Sequence, residues 1–368
     1  VQFHRCHNCP RPILSAPLPR LPSVNLPLGI FAILLIFGVL ETCQPKTINR
    51  EKIFTVRDRL ALIDWVGSVI CIGMVVLLLL PLQWGGITKS WDDATVIVLF
   101  CLSALLLGIF VLWEWRKGDG ALVPFTMFRR RSQFGAASAT FFIGLGLFIG
   151  VHPLPRFQAK GHSATRSGID ILPFMISVVA CKLFVEALDK LGRYWHIITI
   201  SPLIFSIGSG LLFTLSANSP TNQLIGYQIL GHFNHYKGSA LQNVFLAIHA
   251  EWAAEPHRIP QAVALCSLMQ LTGGSVGIPI AGTIFRNKLK EYLAAYVNEI
   301  PSDSLTAVQQ SVDAIFTLPP AIQDLVISAY IRSLNHVFLL GIPAGILASI
   351  SAAVTKNYDL KARRREIS

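Results

Sequence analysis

A succession of long apolar runs constrains this chain more than any other feature. Nine stretches, at 25–40, 60–82, 94–113, 133–152, 168–188, 196–216, 225–250, 262–285 and 336–354, are dominated by aliphatic and aromatic residues. Each lies near the roughly 20 residues that cross ~30 Å of hydrocarbon. Backbone N–H and C=O groups find no water there, so such segments must satisfy them internally as helices. Charged residues fill only 14% of the 368 positions and hydrophobic ones 52%, whereas a soluble domain carries about 25% charge. The chain therefore reads as an all-α membrane protein of about nine transmembrane helices. The first run is short. The seventh is the poorest, with His232, Asn234, His235 and Lys237 in its middle.

The formal net charge of +11 would suggest nucleic acid in a soluble protein. Its distribution gives another reading. Alternate links at 41–59, 114–132, 189–195, 251–261 and 355–368 hold 18 Lys and Arg, and the other set holds 8. The positive-inside bias places the first set, and the C-terminus with Arg363, Arg364 and Arg365, in the cytoplasm. The base is a topology signal, and no nucleic-acid partner is needed. All seven tryptophans, Trp65, Trp84, Trp91, Trp113, Trp115, Trp195 and Trp252, fall near run ends, where indoles sit at headgroup level. The longest link, 286–335, has helical apolar spacing at 288–298 and 305–316, which predicts short amphipathic helices lying on the outer surface. Pro319-Pro320 is expected to break that link before a helix leading into the last run.

Several local patterns carry a resemblance. They are Val24-Asn25-Leu26-Pro27-Leu28-Gly29, then Ile63-Asp64-Trp65-Val66-Gly67 and Leu82-Gln83-Trp84-Gly85-Gly86 about the second run. Further on come Phe157-Gln158-Ala159 with Gly161-His162-Ser163-Ala164, Gly226-Tyr227-Gln228 with Gln242-Asn243, and Gln270-Leu271-Thr272-Gly273-Gly274. In order and spacing, from about residue 24 onward, the chain resembles the fungal fourteen-span drug-and-toxin proton antiporters of the major facilitator superfamily. The resemblance implies spans six to fourteen of a major facilitator-type helical bundle with a complete C-terminal six-helix half. The division it implies is an unassigned tail (1–23), the last helix of the first half (24–40), a link with two linker helices (41–132), the six-helix half (133–354) and a basic cytoplasmic tail (355–368). Spans one to five have no counterpart, so the chain is expected to be a truncated or fragmentary product.

Candidate site residues follow from chemistry and from the resemblance together. Gln242, Asn243 and Gln270 are uncharged polar residues inside apolar runs, suited to a substrate path or to interhelical hydrogen bonds. Gly273, Gly274, Gly277, Pro279 and Gly282 crowd one run; small residues let helices approach closely and proline frees a carbonyl. The resemblance implies a helix-packing and gating role for this cluster. It also likens Asp189, Gly192 and Arg193 to a short cytoplasmic turn that locks neighbouring helices; a simple basic turn fits equally. Asp64 and Asp170 stand near run ends and read as interfacial groups. Lys182 and Glu186 are spaced for a local ion pair.

Other chemistry has little support. Cys6-x-x-Cys9 with His4 and His7 has no second pair to complete a zinc site, so no metal and no cofactor is assigned. No HExxH or P-loop pattern occurs, and the chain is not read as an enzyme. The implied partners are the lipid bilayer, a small organic substrate and protons, in the plasma or vacuolar membrane. Two readings stay open: an efflux antiporter for drugs or toxins, and a non-transporting remnant of one. The second is favoured locally by the polar residues at 231–238.

Overall fold

The computed structural model describes residues 29–31, 33–36, 38, 64–85, 89–147, 172, 176, 194–216, 219–220, 222–227, 239–296, 308 and 312–359. Among them the elements are helical, apart from an isolated bridge between Gly85 and Lys89. Contacts divide the chain into Val1–Leu60 and Ala61–Ser368. In the first unit the described residues are helical and present Ile30, Phe31, Ile33 and Leu34 outward, in keeping with the apolar run at 25–40.

In the second unit, α1 (Trp65–Trp84) and α2 (Ala94–Lys117) form a hairpin. Both begin at an aspartate that satisfies an orphan backbone donor. Asp64 accepts from Gly67 N at 3.0 Å, and Asp93 from Thr95 N at 2.7 Å. The bonds from Thr95 hold the exposed Asp93 carboxyl below its usual range. Gly118, at φ 64°, ends α2 in the left-handed conformation that favours glycine. Val69 and Ile72 on α1, and Val98 and Leu105 on α2, stay exposed. An apolar surface this continuous has lipid as its solvent.

Six further helices build the bundle: α3 (Arg131–Leu147), α4 (Trp195–Phe213), α5 (Ser239–Glu251), α6 (Ile259–Ala294), α7 (Pro320–Phe338) and α8 (Gly341–Ala353). α3 lies between α6 and α8, and α8 packs in turn on α4. α5 touches α4, α3 and α6; α7 lies along α6 and α4; α1 joins the hairpin to α6. Among the described residues, five helical stretches are long and apolar enough to cross a membrane: Trp65–Trp84, Ala94–Lys117, Trp195–Phe213, Ile259–Ala294 and Ile322–Ala353.

Of the runs at 60–82, 94–113, 196–216 and 262–285, residues 65–82, 94–113, 196–213 and 262–285 fall on these helices. The run at 168–188 lies outside the described residues except for Leu172 and Ile176, both helical. The seventh run is helical at 222–227 and Ser239–Glu251; the polar stretch 231–238 lies outside the described residues. Asp170, Lys182 and Glu186 lie outside them too.

Two expectations change. The amphipathic stretch beginning at Lys288 is no separate surface helix, because α6 runs unbroken to Ala294. Nothing between 283 and 294 stops a helix, and Leu289 and Leu293 are fully buried against Val326 and Tyr330 of α7. The last run is also divided. Pro319 and Pro320 open α7 as expected, but α7 ends at Phe338 and α8 starts at Gly341. Pro343 has no N–H to offer the Leu339 carbonyl, which accepts from Ile342 N at 3.3 Å instead, so the regular ladder tightens and breaks between the two helices.

The α4–α8 contact shows how these helices hold together. A methyl group at Gly345 would overlap the Pro202 carbonyl and the Ser206 hydroxyl; one at Gly341 would lie 2.8 Å from Ser209 Cβ. Ser206 Oγ donates to Ile342 O at 3.0 Å, and Ser349 Oγ to Thr199 O at 2.6 Å. Small residues bring the backbones within reach, and hydroxyls then bridge them. Gly345→Leu is expected to cost about 1–3 kcal/mol through overpacking and to lower the melting temperature in detergent. Gly108→Ala, where nothing lies within 4 Å, should leave it unchanged or slightly raised.

Candidate functional site

The glycine cluster forms the face of α6 that meets α3. Gly144 on α3 sits against the Gln270 carbonyl, and Gly273 against the Phe141 carbonyl; a methyl group at either would overlap that oxygen. At Gly277 a methyl would stand 2.7 Å from Leu145 O. The Gly273-x-x-x-Gly277 spacing therefore lets backbone touch backbone over nearly two turns, close enough for Cα–H contacts to carbonyls. Gly274 and Pro279 are buried in the same helix. Pro279 removes the donor for the Ser275 carbonyl, which loosens the ladder just beyond the seam.

The remaining candidates fall as follows. Gln270 is half-buried and joins the seam through its backbone. Gln242 and Asn243 lie in α5, whose backbone is described there while their side chains are not. Asp189, Gly192 and Arg193 lie outside the described residues. Gly282 stands one turn before Arg286, and a methyl on it would come 3.3 Å from Arg286 Nη2. The guanidinium folds back along α6 over that glycine, and its Nε is buried without a hydrogen-bond partner among the described residues.

At one end of the bundle a polar knot joins five helix ends. Arg130, just ahead of α3, pairs with Glu255, donates to Glu251 O at 3.2 Å, and lies 3.8 Å from the Glu251 carboxylate. Its guanidinium carbon stands 4.1 Å from the centre of the Trp252 ring. Trp252 Nε1 donates to Gln133 Oε1 at 3.0 Å, and Gln133 Nε2 donates to Ala262 O at 3.3 Å. α3, α5 and α6 thus meet on one buried amide.

The segment after α8 completes the knot. Tyr358 Oη donates to Glu251 Oε2 at 2.8 Å, and Tyr194 Oη, at the start of α4, donates to Lys356 O at 2.7 Å. Burial pushes the Tyr194 phenol up to about 12, so it stays a donor through the physiological range. Burial and the bond to Glu251 also raise Tyr358.

Sequence reasoning missed Gln133, Glu251 and Trp252. Trp252 was expected at the headgroups, as at every run end, but it is only 1% exposed. Its indole turns inward because Gln133 offers a buried acceptor. The available signal was the basic triplet Arg129–Arg131 in one link and the acidic Glu251 and Glu255 in another, both links assigned to the same side of the membrane by the positive-inside count.

The model of the fungal trichothecene efflux pump family (TRI12) matches residues 28–140. An MFS-type transporter of Aspergillus oryzae, astH, is 32% identical over 350 residues, covering 93% of this chain and 59% of that protein. The MFS-type efflux pump MFS1 of Arthroderma benhamiae is 30% identical, covering 93% and 63%. The MFS-type transporter lnaF of Aspergillus flavus is 32% identical, covering 89% and 67%. The chain spans about three fifths of the length of the curated relatives it matches.

The knot makes a measurable claim. Trp252→Phe keeps the ring but leaves Gln133 Oε1 buried without its donor, and is expected to cost about 1–3 kcal/mol of stability. Adding Gln133→Leu should recover part of that loss, and melting curves of the four proteins in the double-mutant cycle give the coupling.

Proposed function

From the premise that the chain belongs to the major facilitator superfamily, a family of transporters and not of enzymes, we propose that it acts in the efflux of small organic molecules in exchange for protons. The observation that carries this reading is the α3–α6 seam. Gly144, Gly273 and Gly277 replace side-chain interlock with backbone contact, and Pro279 weakens the helix beside it. A transporter that alternates between two openings needs such a contact, since rigid pieces must rock about a site near the midplane.

In this reading residues 133–354 form the moving half. The polar knot lies at the cytoplasmic end, as the positive-inside count suggests, and holds the helix ends while the seam shifts. Gln242, Asn243 and Gln270 supply uncharged hydrogen-bonding groups along the substrate path. The matching family's name, trichothecene efflux pump, and the efflux-pump name of the Arthroderma benhamiae relative support export, with drugs or toxins as the proposed substrate class.

The test is retention of toxins and fluorescent dyes in a pump-deficient yeast expressing the protein. Lowered retention that disappears when the proton gradient is collapsed is the expected result. Gln270→Leu should weaken export roughly 2- to 10-fold, the scale of one lost hydrogen bond, at equal amounts in the membrane. Unchanged retention with the protein correctly inserted would remove the efflux reading.

A further inference from the structure

Away from the seam, the hairpin ends in a second cluster of ionisable groups. Glu114, in the last turn of α2, is fully buried. Its Oε2 accepts from Val123 N at 2.6 Å, whereas Oε1 has no hydrogen-bond partner among the described residues. Asp64, at the start of α1, is the opposite case. Its Oδ1 receives Gly67 N at 3.0 Å and lies 2.7 Å from Lys117 Nζ, and Trp113 Nε1 stands 3.2 Å from both carboxyl oxygens.

The two acids face each other across a glycine. A methyl group on Gly67 would lie 2.5 Å from Asp64 Oδ2 and 2.9 Å from Glu114 Oε1. The one carboxyl oxygen without a donor thus shares a gap with the less occupied oxygen of Asp64. The other ionisable groups here are the Cys71 thiol on α1 and Lys117 on α2. The facing residues of α6, Gln261 and Leu265, and the loop at 121–123 bring no charge.

We propose that Asp64 and Glu114 form a proton-binding site that holds one exchangeable proton, carried on Glu114 Oε1 and directed at Asp64 Oδ2. Charge balance argues for it. Two carboxyl groups out of water face a single ammonium, and one bound proton makes the cluster neutral. The proton belongs on Glu114 because Asp64 has the Lys117 ammonium and two further donors to stabilise an anion, while Glu114 has only the backbone N–H groups of 122–123 and no cation in contact. Lys117, whose side chain is 35% exposed, leads from the buried carboxyls to the surface and gives the proton its route of exchange. The same carboxyl clasps Val123, and Ala121 O of that loop accepts from Gln261 Nε2 of α6 at 3.3 Å. Occupancy of the site is thereby tied to the docking of the hairpin on the bundle. The proposal stands apart from the transport reading and is tested without it.

Infrared spectra of the purified protein in lipid nanodiscs at neutral pH read the bound proton directly, as a carboxylic-acid C=O stretch that shifts in D2O. Wild type and Glu291→Gln, which alters an exposed ion-paired carboxylate, should show the band. Glu114→Gln should lack it and melt at the wild-type temperature, because an amide reproduces the neutral acid by accepting from Val123 and donating to Asp64. Identical bands in wild type and Glu114→Gln would overturn the proposal. So would a Glu114→Gln protein that melts well below wild type, since that loss reports an ionised Glu114.

Discussion

Hydrocarbon exerts no hydrophobic pressure of helix on helix, because lipid tails are as apolar as the side chains they surround. Cohesion must come from close contact, and closeness depends on what stands between two backbones. The α3–α6 seam meets that requirement with glycine, Gly144 on one side and Gly273 and Gly277 on the other. Because α3 also packs on α8, and α8 on α4, the position of α6 against α3 fixes the frame for the other helices. The α4–α8 contact repeats the device with Gly341, Gly345 and the serines of α4.

Among the described residues the charged networks gather at helix ends, where they are cheap to solvate and effective at fixing geometry. Arg130, Glu251, Glu255 and Lys356 tie together chain segments more than a hundred residues apart. Their partners Trp252, Gln133 and Tyr194 are buried, so the charged outer layer rests on neutral hydrogen bonds. The hairpin ends on the same plan, with Lys117 and Trp113 converging on Asp64. Salt bridges open to solvent contribute little singly; the neutral bonds beneath them, inaccessible to water, set the angles.

The sequence displayed its helices because membrane burial demands length and apolarity, both local properties. The start of α7 was visible in Pro319 and Pro320, whereas Asp64 read only as an interfacial group and its capping of α1 appears in the fold. What stayed hidden depends on pairing. Gly144 has no meaning until Gln270 lies opposite, and Trp252 resembles every interfacial tryptophan until Gln133 is known to be beside it. Glu114 sits in a basic link that looks solvated, and only the fold of 118–124 over it removes the water. The length of α6 was misread for a related reason: Leu289 and Leu293 fit a surface helix until α7 covers them.

That length has a mechanical consequence. With 36 residues, α6 measures about 54 Å at 1.5 Å per residue, well beyond the ~30 Å of a hydrocarbon core. Its seam with α3 lies near the middle, leaving roughly 25 Å from Gly277 to Ala294. A rod held at such a fulcrum magnifies whatever happens there, and a tilt of ~10° would carry its far tip about 4 Å. Leu289 and Leu293 bind that tip to α7 and to Val308, Ile315 and Leu318. The cap formed by these residues is packed on the far end of the arm, so a tilt at the glycines or a bend at Pro279 would displace it at the surface by about the size of a side chain.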